Sequence, residues 1–516
     1  MKKILLLSFI EGACVMAVEL IGAKMLAPYF GSSLYVWATV LAVTLFALTS
    51  GYFVGGLLSE KNNRENILYT LALIGSAFMI VMPNWCYLLF YWFGNWRLIP
   101  ATLLSAFGLL FPPVFIMGNI SPLIISVLEP YFKKSGRTAG IVYAISTLGG
   151  ITGTFLCGFY LIPMFGLKWP CMAFGALFSI IPLTSLLKKK QSNAVSFLVF
   201  IIVYSFWQTD LFPKQYKGLK PILTQEGILG QVMVIDYLPT NDTSVWQGRV
   251  LTVNRIIQTA EDSRPNRYPY LAYIKEIERV LDSIPSLKNL KNKKHALVNG
   301  LGGGSLAKML HKRGFTVTAV ELDERIINTA KNYFNLPNSI YTITDDARHY
   351  LNTTQQPQEL IIFDLFKGEE NPGHVLTLES FSKIHQLLND NGIIIINTHG
   401  YISGITGKGN RSIIKTMLKA GFTPLILPVE KNARAEDFRN LLIIALKNKN
   451  DYQLLTHKLN NELIIYNSSF LNDAIVLTDN KPVLDYLNAR ASRLWRYYYM
   501  QDVVKFFNYS GIPVFN

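Results

Sequence analysis

Ala296-Leu297-Val298-Asn299 followed by Gly300-Leu301-Gly302-Gly303-Gly304-Ser305 decides the fold of the second half of the chain. The first four residues read as a short buried strand, and Leu306, Met309 and Leu310 beyond the glycines fall on one face of a helix. A glycine-rich passage from strand to helix lets a ligand approach the backbone at a helix amino terminus. Alone it is a weak signal, because glycine also makes ordinary tight turns. Apolar strands and amphipathic helices alternate through the following residues, the pattern of a parallel sheet covered on both faces.

The next strand, Val317-Thr318-Ala319-Val320, ends at Glu321, 21 residues after Gly300. An acid at that distance can accept hydrogen bonds from ribose hydroxyls. Tyr341 to Thr344 leads to Asp345-Asp346-Ala347, and Leu360 to Phe363 leads to Asp364. Ligands bind beyond the carboxyl ends of strands in such sheets, so Glu321, Asp346 and Asp364 should share one crevice. A purely structural account would need a separate partner for each acid. A dinucleotide would favour a third glycine where Ser305 stands, whereas an adenosyl-sulfonium nucleotide needs one acid for the ribose and another near the adenine. The second reading is favoured.

Half of the 516 residues are apolar and 16% are charged, which excludes disordered, collagen-like and disulfide-stapled classes. The balance of 49 Lys and Arg against 34 Asp and Glu gives +15. Many of the basic residues lie in short loops between apolar runs, which points to membrane topology rather than nucleic acid. Cys14, Cys86, Cys157 and Cys171 lie in apolar stretches without metal or redox spacing.

A span needs about 20 apolar helical residues. Seven stretches meet this, at roughly 4–27, 34–58, 67–92, 99–128, 139–163, 166–187 and 194–212. With the amino terminus inside, the inner loops of the first six carry Lys2, Lys3, Lys61, Arg64, Lys133, Lys134, Arg137 and Lys188 to Lys190, and the outer loops only Arg97 and Lys168. A seventh crossing would put the second half outside, so the sequence leaves its side open. Glu11, Glu19 and Lys24 either pair or snorkel, or mark a substrate path. Gly22, Gly31, Gly51, Gly55, Gly56, Gly149, Gly150, Gly153 and Gly158 are expected at close helix contacts. The expected organisation is a helical membrane domain over 1–213, a linker and small β subdomain over 214–290, and a Rossmann-like doubly wound sheet over 291–516.

Further motifs make the chain similar to the spermidine synthase (aminopropyltransferase) family in its membrane-fused bacterial branch. They are VNRIIQT, LVNGLGGGS, VELD, DDARHYL, IIFDLF, PGHVLTLESF and LTDNKPVLDYL in the second half, with VELIGAKMLAPYFGSSLYVWATVLAV, MGNISPLIISVLEP and GRTAGIVYAISTLGGITGTFLCGFYLIPMFGL in the first. The resemblance implies a transferase of polyamine biosynthesis that takes decarboxylated S-adenosylmethionine, or S-adenosylmethionine, as co-substrate and needs no metal. It implies nucleoside contacts at Gln258, the glycine turn (Gly300, Gly302, Gly304), Glu321, Asp346 and Ala347, with Asp364 as base toward the attacking amine. Its soluble members pair or form tetramers, which makes a homodimer a candidate assembly, in a bacterial-type inner membrane.

The chain departs from the family around the amine. Gly303 stands where the family has an aspartate for the aminopropyl ammonium, and Lys367 where it has a diamine-binding aspartate. Asn254-Arg255 replaces Asp-Gly, and Tyr268-Pro269-Tyr270 the Tyr-Gln/His-Glu stretch. Each change removes negative charge from where a polyamine cation would sit. The acceptor is therefore expected to be atypical: a small-molecule amine or a membrane-tethered substrate, with Tyr268, Lys367 and His374 as candidate contacts. Arg255, Arg267 or Lys367 could hold the carboxylate of a nucleotide that is not decarboxylated. His374 is either a substrate contact or loop packing, and His399 a weaker candidate. Competing readings are a transport or processing protein with a nucleotide-sensing domain, and a methyltransferase or lyase.

Overall fold

The computed structural model describes the chain apart from residues 32–33, 95, 208–217, 238–247, 263–270, 289–293, 367–370, 431–437, 482 and 511–516. Two compact units result: Met1–Leu219 with Leu223–Gln231 and Tyr497–Asn516, and Lys220–Ile222 with Val232–Arg496.

The first unit is helical: α1 (Lys2–Phe30), α2 (Leu34–Ser59), α3 (Arg64–Phe93), α4 (Leu98–Gly118), α5 (Ile120–Phe132), α6 (Ser135–Phe155), a π-helical turn (Leu156–Leu161), α7 (Ile162–Phe165), α8 (Lys168–Lys188) and α9 (Ser192–Trp207). Among the described residues, six passages are long and apolar enough to cross a membrane, α4 with α5 and α6 through α7 each counting as one. The stretch 194–212, expected as a seventh span, forms the 16-residue α9, and residues 208–212 lie outside the described part.

Small residues set the helix contacts. A β-carbon on Gly149 would stand 1.9 Å from the carbonyl oxygen of Phe9, and one on Gly12 equally close to that of Ser146, so α1 and α6 touch backbone to backbone. Gly51 and Gly55 bring α2 against Phe115 and Asn119 in the same way, whereas Gly56 has open space beside it. Glu11 is 2% exposed, and its Oε2 accepts the Ser146 hydroxyl at 3.0 Å, a neutral partner rather than Lys24.

Strands β1 (Leu219–Gln225), β2 (Val232–Tyr237), β3 (Gly248–Val253) and β4 (Ile256–Asp262) form a sheet in that order, β2 to β4 lying in the second unit. Asn254 and Arg255, both at positive φ, turn β3 into β4. Helices α10 (Ala272–Asp282) and α11 (Pro285–Lys288) lead to a second sheet of β5 (Lys294–Asn299), β6 (Phe315–Glu321), β7 (Tyr341–Thr344), β8 (Gln358–Phe363), β9 (Leu388–Gly400), β10 (Leu425–Pro428) and β11 (Arg439–Leu446). Its order is β10-β11-β9-β8-β5-β6-β7. Strands β5 to β9 are parallel as expected, but β11 inserts antiparallel between β9 and β10, so the sheet is mixed.

Helices α12 (Ser305–Lys312), α13 (Glu324–Tyr333), α14 (Ala347–Thr353), α15 (Leu378–Leu387), α16 (Lys408–Lys419), α17 (Lys449–Leu459) and α18 (Leu484–Ser510) complete the order. Alternate residues of each strand feed opposite cores. Ile393 and Ile395 of β9 pack with α10, α12 and α17, and Ile394 and Ile396 with α15 and α16. Burial on both faces explains the continuous isoleucine run.

Candidate active site

Neighbouring strands end level with one another: Asn299 pairs with Phe363 on one side and Val320 on the other, and Glu321 with Thr344. The glycine turn, Glu321, Asp345, Asp346 and Asp364 therefore leave the sheet along one edge. Gly300 has φ +93°, and a β-carbon there would lie 2.2 Å from the Asp364 carbonyl oxygen, so only glycine lets the two strand ends meet.

Three amides of the turn already have partners. Leu301 N–H donates to Glu321 Oε2 at 3.1 Å, Gly303 N–H to Thr259 Oγ1 at 2.7 Å, and Gly304 N–H to the Leu301 carbonyl at 2.9 Å. Glu321 also accepts from Asp323 N–H at 3.1 Å, and burial pushes its carboxyl up despite these backbone donors. Glu261 on β4 reaches the start of α12, where its Oε1 accepts from Ser305 Oγ and Lys308 Nζ, each at 2.6 Å. A diphosphate would meet the Glu261 carboxylate at that helix end, so the geometry suits a nucleoside without phosphates.

Asp364 is gripped at both oxygens. Tyr273 Oη, from α10, donates to Oδ2 at 2.6 Å, and Asn397 Nδ2, from β9, donates to Oδ1 at 2.8 Å. Asn440 Nδ2 donates to Asn397 Oδ1 at 3.3 Å, which fixes the amide so that its NH2 faces the acid. Burial still raises the Asp364 carboxyl above the ordinary range against the two donors, and burial followed by the charge of Asp364 raises the Tyr273 phenol. The result is a desolvated carboxylate of increased basicity and fixed direction. Asn371 Nδ2 donates to the Leu365 carbonyl at 2.8 Å and ties down the residues after the acid.

Asp346 caps α14, its Oδ1 accepting from Arg348 and His349 N–H at 2.8 and 3.2 Å, while its Oδ2 lies 2.9 Å from His374 Nε2. Burial would raise Asp346, but the His374 contact and the two amides outweigh it and hold the carboxyl low. His374 is thus paired with Asp346, not with Asp364. Ala347 is buried at the start of α14.

Gln258 sits on β4 where that strand crosses the turn, its carbonyl oxygen 3.5 Å from where a β-carbon on Gly302 would stand. Arg255 is 5% exposed in the β3–β4 turn. His399 stacks against Phe366 at 4.7 Å and Trp495 at 5.8 Å, a packing role. Tyr268, Arg267 and Lys367 lie outside the described residues.

Gly303 is closed in. A β-carbon there would stand 2.7 Å from Thr259 Cγ2 and 3.0 Å from the Phe334 ring. The acid missing from this position has no space left for it. Tyr273 and Asn397 were not singled out from sequence. Tyr273 reads as one more residue of the apolar face of α10, but a polar Asn closing four isoleucines was a legible sign.

Residues 276–403 match the family described as Spermine/spermidine synthase domain. The N-terminal histidine N-methyltransferase of Emericella nidulans is 30% identical over 185 residues, 34% of this chain and 32% of that protein. The polyamine aminopropyltransferase of Vibrio vulnificus is 34% identical over 111 residues, 20% of this chain and 36% of that protein. The chain thus spans about a third of the length of each of these curated relatives. A crystal structure of a probable spermidine synthase from Corynebacterium glutamicum aligns with 17% identity and a TM-score of 0.39, over 50% of this chain and 95% of that one. The carboxyl-terminal region of this chain carries a spermine/spermidine synthase domain.

Proposed function

We propose that the protein is a membrane-anchored transferase acting on an adenosyl-sulfonium nucleotide, and that it moves the aminopropyl group of decarboxylated S-adenosylmethionine to an atypical amine. The observation that carries this is Asp364, a buried carboxylate held between Tyr273 and Asn397 at the strand edge that also bears Glu321 and Asp346. Glu321 and Asp346 take the ribose and adenine sides of the nucleoside, with Gln258, Gly300, Gly302, Gly304 and Ala347 around it.

In the reaction, the lone pair of a neutral amine attacks the carbon next to the sulfonium. The carbon–sulfur bond breaks, its electron pair stays on sulfur, and methylthioadenosine leaves. The proton lost by nitrogen passes to Asp364. An alkyl amine is mostly protonated near neutral pH, so a basic carboxylate that takes a proton and aims the lone pair contributes both chemistry and orientation. The acceptor is a small-molecule amine or a membrane-tethered one, reached from a multi-pass anchor in a bacterial-type inner membrane, with a homodimer as the proposed assembly.

Methyl transfer from S-adenosylmethionine itself is the second reading, and the closed space at Gly303 favours it. Without an acid there, the carboxylate of the nucleotide that is not decarboxylated meets no like charge at that position. Product analysis on purified protein given each nucleotide and a panel of amines separates the two. Methylthioadenosine supports aminopropyl transfer and S-adenosylhomocysteine supports methylation. Nucleotide binding without turnover, unchanged in Asp364→Asn, would favour a sensing domain instead.

A further inference from the structure

An apolar groove of about 480 Å³ runs along the helical unit between α3 and α9. Its walls are a stripe of α3 at three- and four-residue spacing, including Leu73, Ala77 and Phe78, and Phe197 and Phe200 of α9. The volume is that of a ligand pocket. A groove lined mostly by apolar side chains takes an apolar occupant.

One end is polar. Asn193 Nδ2 donates to Thr70 Oγ1 at 2.9 Å and so joins the first turn of α9 to the second turn of α3. Both helices therefore have their amino-terminal ends on the same side of the groove, where Lys188, Lys189 and Lys190 precede α9. Lys189 is committed to Glu65 at 2.9 Å. Lys188 and Lys190 are exposed, and among the described residues neither enters an ion pair. The positive loops assign this end to the cytoplasmic face. A hydrocarbon-lined slot with free cations at its cytoplasmic mouth matches a lipid with one apolar chain and an anionic headgroup.

On the reading that these helices span a bilayer, and independently of the nucleotide site, we propose that the α3–α9 groove is a binding site for an anionic phospholipid. One acyl chain lies along Leu73, Ala77 and Phe200, and the phosphate is held by Lys188 and Lys190. The test is native mass spectrometry of the full-length protein released from bilayers holding equal phosphatidylglycerol and phosphatidylcholine of identical chains.

The wild type should retain phosphatidylglycerol in preference. Ala77→Trp fills the groove and should abolish retention of both lipids. Lys188→Gln with Lys190→Gln leaves the groove intact and should lower the phosphatidylglycerol preference by roughly fivefold per lysine, with phosphatidylcholine still retained. Equal retention of the two lipids by the wild type would overturn the proposal, as would a preference unchanged in the double lysine variant. So would a groove occupied by a second copy of the chain, seen as lipid-free dimer.

Discussion

Tyr273 donates its hydroxyl to Oδ2 of Asp364 at 2.6 Å, and this bond joins α10, just after the small β sheet, to the end of β8 in the centre of the large one. The acid meets a second donor, Asn397, at 2.8 Å. Because both carboxylate oxygens are held, the direction of the remaining lone pairs is set before an amine arrives.

Removing the charge tests the role of the acid. Asp364→Asn should lower turnover by about 10²- to 10⁴-fold, the range for a positioned general base, and leave nucleotide affinity measured by calorimetry within about twofold. The same change should raise the melting temperature. A carboxyl whose pKa is raised in the folded state holds its proton more tightly folded than unfolded, so its contribution to stability is present below its unfolded pKa and is lost as pH rises through the folded value. A lower melting temperature in neutral buffer would contradict this.

Tyr273→Phe separates basicity from position. The phenol lowers the Asp364 pKa that burial raises. Its loss should move the acidic limb of the rate profile to higher pH and reduce kcat by roughly tenfold, of the order expected for one hydrogen bond to a charge. A profile that keeps its shape while the rate falls would assign Tyr273 to packing alone.

Position 303 should not accept the family acid. Gly303→Asp must displace Thr259 or the Phe334 ring, at a cost of about 1–3 kcal/mol, and should not restore use of an ordinary diamine. Denaturant midpoints and assays with putrescine check both halves. Gly300→Ala should be worse, since it combines a contact at 2.2 Å with a φ of +93°.

The Asp346–His374 contact predicts a pH-dependent affinity. Asp346 is held low, so its contribution is present above its unfolded pKa and lost as pH falls through the folded one. His374→Ala removes a contact that, together with the two amides, outweighs burial, so the loss of nucleotide affinity should begin at a higher pH. Titrations in neutral and mildly acidic buffer read this directly. Equal affinities for wild type and variant at both pH values would remove His374 from the site.

Topology turns on whether the chain crosses after Lys190. At 1.5 Å per residue, the 16 described residues of α9 reach about 24 Å, so α9 crosses a ~30 Å hydrocarbon core only if the helix continues beyond Trp207. On the proposed use of a cytosolic nucleotide, a reporter fused at the carboxyl terminus should register on the same side as one fused after Lys190. Opposite sides would make α9 part of a seventh crossing.

The sequence by itself determined what depends on local pattern. Isoleucines 393–396 can be buried on both faces only within a covered sheet, and long apolar runs have few stable alternatives to helices. The glycine turn and the acids at the strand ends were legible because a parallel sheet aligns its carboxyl ends, which places Glu321, Asp346 and Asp364 along one edge from their strand positions alone.

Tertiary structure decided what depends on partners distant in the chain. Tyr273 lies 91 residues from Asp364 and Asn397 lies 33, and nothing in either local pattern says that both point at one carboxylate. The antiparallel β11 was likewise hidden, because a buried strand reads the same in either direction. Gly303 shows the difference most plainly. Its sequence records only a missing acid, whereas packing shows that Thr259 and Phe334 have taken the space, and such closure arises only when three segments meet.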